Sequence, residues 1–196
     1  MHIESMQSIS GGTGKTTLVM ERAIQDCLDG LKVLVIDTCR SPSLTGRLQK
    51  LGFEGVWDLR SLFQSHAEGN PQVSQLPRLG LICLPPDVKS SSWAVKHFAD
   101  RETAYYFGRT NMAWFANHYD TCYIDCARAE PDMAQFATCV SDVVNYFPRM
   151  IPASPVEDWK AMYWDCLHPE ERPRIFIESD RNAWHEPWVE KMLEEA

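Results

Sequence analysis

The sequence predicts an α/β fold in three layers: a mostly parallel β-sheet with helices on both of its faces. Three observations lead to this prediction. Short apolar runs rich in β-branched residues alternate with stretches of helical periodicity. Two of these runs, 32–37 and 120–125, end in an aspartate, and a glycine-rich loop stands between the first run and the first helix. Near-continuous apolar strands joined by helices are typical of a parallel sheet that is buried on both faces.

The first half of the chain supplies two strands and three helices. Residues 2–9 form a short, partly apolar run, and a helical pattern follows from near Thr16. Gly30 marks the end of that helix, ahead of the second strand. The predicted strands are 2–9 and 32–37, and the predicted helices begin near Thr16 and then cover 43–51 and 57–63.

The second half supplies four further strands and one long helical stretch. The predicted strands are 79–84, 120–125, 143–147 and 174–177, the helical stretch is 92–117, and the predicted flexible loops are 64–77 and 90–92. Ligands of open parallel sheets bind at the carboxyl ends of the strands. We therefore expect the glycine-rich loop and the two strand-end aspartates, Asp37 and Asp125, to meet at that edge.

Composition indicates one globular domain and argues against several functional classes. With 196 residues, of which 44% are hydrophobic and 23% charged, the chain suits a single α/β domain better than two. No apolar run approaches the roughly 20 residues of a membrane helix, and the amino terminus lacks the pattern of a secretory signal. The net charge of −8, without a cluster of lysines and arginines, disfavours direct DNA binding.

The seven cysteines are odd in number, scattered and mostly inside apolar runs. They indicate buried thiols in a reducing compartment, so we expect a cytoplasmic protein. Cys122 and Cys126 flank a predicted strand, where positions four residues apart point to the same face. Because no Cys-x-x-Cys spacing occurs, we expect core thiols there and not a metal site.

Residues 10–17 read Ser-Gly-Gly-Thr-Gly-Lys-Thr-Thr and predict a phosphate-binding loop between a strand and a helix. Glycines let backbone N–H groups turn toward phosphate oxygens. Lys15 supplies a positive charge to the β- and γ-phosphates, and the hydroxyl of Thr16 is placed to ligate Mg²⁺. The helix that follows adds its positive amino-terminal end. The candidate nucleotide-binding residues are Gly11, Gly12, Thr13, Gly14, Lys15, Thr16 and Thr17.

Asp125 is the first candidate acid beside this loop. Asp125 ends an apolar strand, and the segment 119–127 around it looks like a Walker B segment. Its carboxylate would hold Mg²⁺ through a water, opposite Thr16. The alternative is an ordinary turn or helix N-cap acid, which aspartate also favours.

The doubled glycine at 11 and 12 resembles the deviant Walker A loop, Lys-Gly-Gly-x-Gly-Lys-Thr-Thr, of the ParA/MinD family of dimerising ATPases. The resemblance implies a P-loop NTPase fold of the deviant Walker A class, with ATP and Mg²⁺ as cofactors. It also implies a partner protein or an ATP-dependent homodimer that acts in positioning, partition or assembly of a larger complex. It covers about residues 1–150, and we expect 1–196 to form a single nucleotide-binding domain whose last third, from about 151, diverges.

The same resemblance assigns Asp37, with Lys15, to catalysis, and Asp37, with Thr16 and Asp125, to the metal. Two positions depart from the family pattern. Ser10 replaces the lysine that reaches across the family's dimer, and Cys39 replaces an aspartate that orients the attacking water. A neutral thiol accepts hydrogen bonds weakly. We therefore expect ATP binding with weak or partner-dependent hydrolysis.

Two other functions stay open. The chain could be a non-hydrolysing adaptor that acts through protein contacts. Residues 40–44, Arg-Ser-Pro-Ser-Leu, also resemble bacterial tyrosine kinases linked to polysaccharide export, but no tyrosine follows Tyr163 to form their carboxyl-terminal cluster.

The tryptophans of the last third are either core residues or a protein-binding surface. The acidic tail disfavours an anionic membrane as its target.

Overall fold

The strands of the computed structural model belong to a seven-stranded sheet in which every neighbouring pair is parallel. They are β1 (His2–Gln7), β2 (Val33–Asp37), β3 (Val56–Asp58), β4 (Leu79–Cys83), β5 (Thr121–Asp125), β6 (Val143–Tyr146) and β7 (Arg174–Ile177). Their order across the sheet is β3-β4-β2-β5-β1-β6-β7. The structure describes residues 1–8, 11–39, 43–53, 56–58, 78–83, 101–126, 131–147, 154–165 and 167–177.

Helices connect the strands. They are α1 (Lys15–Leu28), α2 (Ser43–Lys50), α3 (Arg101–Ala116), α4 (Pro131–Val140) and α5 (Ser154–Trp159). A π-helical turn, Lys160–Trp164, continues α5, and a short 3₁₀ turn, Pro169–Glu171, precedes β7. Throughout the described part of the chain, no helix is both long and apolar enough to cross a membrane.

The two faces of the sheet have separate cores, as alternate residues of β2 show. Leu34 and Ile36 pack with residues of α3 and α4 on one face. Val33 and Val35 pack with α1 and α2 on the other. Successive side chains of a strand point to opposite faces, so a strand that is apolar throughout is covered on both sides. This arrangement confirms the predicted three-layer α/β fold.

The core also contains Cys122, within β5, and Cys126, directly after it. Cys122 and Cys126 are buried in the same apolar cluster, as predicted from their spacing. Both thiols are free. Burial raises the pKa of each thiol, so both stay protonated at neutral pH.

One local prediction is wrong, and two helices were not predicted. The predicted helix 57–63 begins with residues that lie in β3, because Val56–Asp58 pairs with β4 at the edge of the sheet. Strand pairing overrides local propensity there, and the rest of that range lies outside the described residues. The structure also contains α4 and α5, which the sequence patterns did not reveal. Of the predicted helical stretch 92–117, the described part is helical over Arg101–Ala116.

Candidate phosphate-binding site

Three adjacent strands bring the predicted site residues to one edge of the sheet. β5 lies between β2 and β1, and its last residue, Asp125, is in register with both Asp37 and Met6. The glycine-rich loop 10–17 begins three residues after Gln7, the last residue of β1. The backbone and hydroxyl of Thr38 both donate to the carbonyl of Asp125, at 3.1 and 2.9 Å, and tie the two strand ends together. The loop and the two aspartates therefore meet, as the strand pattern predicted.

The loop turns on glycines in the left-handed region. Gly12 has φ of +69° and Gly14 has φ of +95°. A Cβ atom added at either position would meet no atom within 4 Å, so the backbone conformation, and not crowding, is what requires glycine. Gly14 is the N-cap of α1. It has no side chain to cap the helix, so no N-cap side chain occupies the first N–H groups of α1 beside the loop. Gly11 and Gly12 are exposed.

Lys15 is the first residue of α1, and its side chain folds back under the loop. It is only 8% exposed. Its ammonium donates to the hydroxyl of Ser8 at 2.7 Å and lies 3.5 Å from the hydroxyl of Thr13. The two hydroxyls are 3.3 Å apart. The loop therefore holds a buried cation between the hydroxyl of Ser8, at the end of β1, and that of Thr13.

The hydroxyl of Thr16 donates to Oδ2 of Asp125 at 2.7 Å. The carboxylate of Asp125 is fully buried, and its other oxygen, Oδ1, has no hydrogen-bond partner among the described residues. Burial raises the pKa of Asp125 to about 7, the nearby Asp37 adds to the rise, and the Thr16 hydrogen bond opposes it. A buried carboxylate oxygen without a donor suits a cation.

Asp37 has a different environment. Oδ2 accepts hydrogen bonds from the backbone N–H and the hydroxyl of Thr45, at 3.0 and 2.9 Å. Oδ1 accepts one from the backbone N–H of Cys39 at 3.1 Å. Burial raises the pKa of Asp37, although these hydrogen bonds lower it. Asp37 therefore fastens the start of α2 to the end of β2.

Cys39 lies next to both acids. One potential ligand atom from each of Asp37, Cys39 and Asp125 lies within 4.8 Å of the others. Burial, followed by the charges of Asp125 and Asp37, strongly raises the pKa of the Cys39 thiol, so it stays neutral. A neutral thiol is a poor substitute for a carboxylate that orients water.

The potential ligand atoms of this site suit a magnesium-bound phosphate. Mg²⁺ prefers oxygen ligands, which Thr16, Asp37 and Asp125 offer, and none of the described residues donates to Oδ1 of Asp125. Thr17 follows in the first turn of α1. Ser10, whose departure from the family pattern bears on the site, lies outside the described residues, as do Arg40 and Arg128, which follow the two strand-end aspartates in the sequence.

Two parts of this site escaped prediction. The hydroxyl of Ser8 accepts the hydrogen bond from the Lys15 ammonium, but Ser8 belongs to no motif. A serine at the end of a strand carries no distinguishing signal in the sequence. Behind the loop, Gln7 is 1% exposed and bonds to Thr138 and Trp159, residues distant in the sequence. Trp159 itself is 1% exposed, so of the two interpretations of this tryptophan the structure supports the core. Trp184 and Trp188 lie outside the described residues.

Several solved structures share this fold. A plasmid partition protein from Borrelia burgdorferi, bound to AMPPNP, matches with a TM-score of 0.62 and 20% identity over 99% of this chain and 79% of its own. McdA from Cyanothece matches at 0.69 and 17% identity, over 100% and 81%. Cobyrinic acid a,c-diamide synthase from Mycobacterium smegmatis, with an ATP analogue and magnesium, matches at 0.68 and 15% identity, over 100% and 82%. No protein-family model matches the sequence, and no curated protein does.

Proposed function

We propose that this protein binds ATP with Mg²⁺ in the loop 10–17 and acts as a nucleotide-dependent dimer switch in positioning, partition or assembly of a larger complex. The observation that carries the proposal is the buried Lys15 ammonium beneath a loop turned by Gly12 and Gly14. A buried cation beside exposed backbone donors favours a phosphate group as its ligand.

The nucleotide is inferred from the site and from the proteins that share its fold. One was solved with AMPPNP and another with an ATP analogue and magnesium. In this chain Thr16, Asp37 and Asp125 would hold Mg²⁺, which neutralises charge on the β- and γ-phosphates. Gly11, Thr13 and Thr17 complete the loop and the first helical turn around the phosphates.

The environment of Cys39 supports weak hydrolysis. The residue lies beside the two strand-end acids, where the ParA/MinD pattern has an aspartate, and its thiol is neutral. It therefore neither accepts a proton from water nor orients it strongly. The same observation favours a second candidate function, a non-hydrolysing adaptor in which bound ATP only stabilises a conformation.

The switch role rests on the ParA/MinD resemblance and on the fold shared with a plasmid partition protein and McdA. Since Ser10 cannot supply charge across a dimer, we expect a weak dimer whose population depends on the concentrations of protein and ATP. Light scattering over a protein concentration series, with ATP, ADP or no nucleotide, measures that population. An unchanged monomer at saturating ATP favours the adaptor.

Calorimetry with MgATP tests the nucleotide site itself. Lys15→Ala removes the ammonium and is expected to weaken binding by about 1.5–3 kcal/mol, the value of a hydrogen bond to a charged group. Lys50→Ala, at the exposed end of α2, is the matched control and should bind like the wild type. Equal affinity in the wild type and the Lys15 variant would refute the assignment of this loop. Release of phosphate, measured on the same samples, separates a slow ATPase from an adaptor.

A further inference from the structure

Gln7, the last residue of β1, joins three elements through its buried amide. Its Nε2 donates to the hydroxyls of Ser5, at 3.1 Å, and of Thr138 in α4, at 3.0 Å. Its Oε1 accepts from the indole N–H of Trp159, at the end of α5, at 2.9 Å. An indole N–H can only donate, so the bond to Trp159 fixes which end of the amide points to α5.

This amide belongs to the residue three positions before the phosphate loop 10–17. Ser8 comes directly after Gln7, and its hydroxyl accepts the hydrogen bond from the Lys15 ammonium. The backbone carbonyl of Gln7 also accepts from the N–H of Phe147 at 2.9 Å. The end of β1 is thus fixed by backbone pairing with β6 and by the side chain of Gln7.

Trp159 belongs to the last third of the chain, the part that the family resemblance does not cover. It packs with Tyr146 of β6, ring centroids 5.1 Å apart, and with Tyr163, at 6.3 Å. Val144 belongs to the same buried cluster. A rigid aromatic cluster therefore holds the indole N–H at Gln7.

We propose that Gln7 and Trp159 are positioning residues: they hold Ser8 in place for Lys15, so that the packing of the last third of the chain sets the affinity of the loop for phosphate. Without the indole N–H, Oε1 of Gln7 loses its 2.9 Å hydrogen bond and keeps the 3.5 Å contact from the hydroxyl of Thr138. A buried acceptor without a good hydrogen bond costs free energy. The amide and the end of β1 must therefore shift toward another donor. The inference rests on the proposed binding of ATP.

A matched pair of tryptophan variants tests it. Trp159→Phe keeps an aromatic ring but removes the N–H donor. Trp164→Phe is the control, because its indole N–H also makes a 2.9 Å bond, but to the carbonyl of Pro173, and its ring packs on the same cluster. Calorimetry on the full chain should show MgATP binding to Trp159→Phe weakened about tenfold, or about 1.4 kcal/mol, and binding to the control nearly unchanged.

A double-mutant cycle separates positioning from a general loss of packing. Gln7→Met removes the amide at similar volume. If the two residues act through one hydrogen bond, the double variant with Trp159→Phe should bind MgATP no more weakly than Gln7→Met alone. Additive losses, or equal losses in Trp159→Phe and Trp164→Phe, would overturn the inference.

A second measurement needs no nucleotide. The indole N–H resonances of the wild type are assigned from the single signal that each Trp→Phe variant loses. Ser8→Ala removes the acceptor of the Lys15 ammonium, and it should shift the Trp159 resonance but not that of Trp164. A Trp159 resonance that does not respond rejects the positioning role, even if no variant at Gln7 folds. If instead the resonance responds but the wild type binds no MgATP, the proposed function fails and the structural coupling stands.

Discussion

Two aspartates end neighbouring strands of the sheet, in register and side by side, yet their environments differ. Asp37 accepts three hydrogen bonds from the turn that follows it, two from Thr45 and one from Cys39. Asp125 accepts one from Thr16 on Oδ2, and within the described part of the chain nothing donates to its Oδ1. The protein satisfies the first carboxylate internally and leaves half of the second without a donor.

The difference separates two uses of a buried acid. A carboxylate with a full set of backbone and hydroxyl donors stabilises the fold. One with an unpartnered buried oxygen costs stability until a ligand arrives. We therefore expect substitutions at Asp37 to lower the stability of the fold, and substitutions at Asp125 to lower ligand affinity.

The largest expected effect is on stability, at Asp37. Asp37→Ala leaves the N–H and hydroxyl of Thr45 and the N–H of Cys39 without their acceptor, and we expect it to lower the free energy of unfolding by about 3 kcal/mol. Urea denaturation should show a lower midpoint with an unchanged slope. Asp29→Ala, at an exposed aspartate after α1, is the control and should unfold like the wild type. A midpoint unaffected by Asp37→Ala would contradict the anchoring role.

The second effect is on affinity, at Asp125. Asp125→Asn keeps an acceptor for Thr16 but removes the charge, so MgATP affinity should fall about tenfold or more, as for a lost charge-assisted contact. The nucleotide-free variant should keep its stability within about 1 kcal/mol or gain some, since a buried charge is gone. Calorimetry and urea denaturation measure the two quantities. Asp37→Asn should lose more stability than Asp125→Asn does, and an equal change in stability at both aspartates would abolish the distinction between them.

The pH dependence sharpens the same contrast. Because burial raises the pKa of Asp125 to about 7, the folded state binds this proton more tightly than the unfolded state does. The contribution of Asp125 to stability is therefore greatest below about pH 4 and is lost as the pH rises toward 7, by about 1.4 kcal/mol per unit of raised pKa. MgATP affinity should move the other way and increase over that range. Asp125→Asn, compared with the wild type at pH 5 and pH 8, should flatten both trends.

The sequence predicts the loop and the two acids well because their chemistry restricts residue type. Only glycine takes φ near +95° without strain, and a parallel sheet gathers its strand ends at one edge. The partners of the acids are not predictable in this way. Thr45 and Thr16 are both hydroxyl residues near a glycine, and only the fold decides which aspartate each one reaches.

Contacts between distant residues leave no local signal either. Gln7 and Trp159 are 152 positions apart, and nothing around either residue indicates the other. The strand β3 was missed for a related reason, because three residues acquire their conformation by pairing with β4. Tertiary packing, and not propensity, sets these features.

The smallest expected effect is at Cys39. Its side chain lies beside both aspartates, but its neutral thiol gives neither of them a charged partner. Its backbone N–H donates to Asp37, and a serine at this position keeps that donor. Because the thiol is neutral, Cys39→Ser replaces one weak neutral group by another, and MgATP affinity and stability should each change by about 0.5 kcal/mol or less. Calorimetry and urea denaturation check this.

Cys39→Asp is the informative contrast: a third carboxylate next to Asp37 and Asp125 should lower the stability by like-charge repulsion, and it should increase phosphate release if the rest of the site is competent. A large loss of affinity in Cys39→Ser would mean that the thiol contacts the nucleotide or its metal, and the contrast between the two aspartates would then have to include Cys39 as a third ligand.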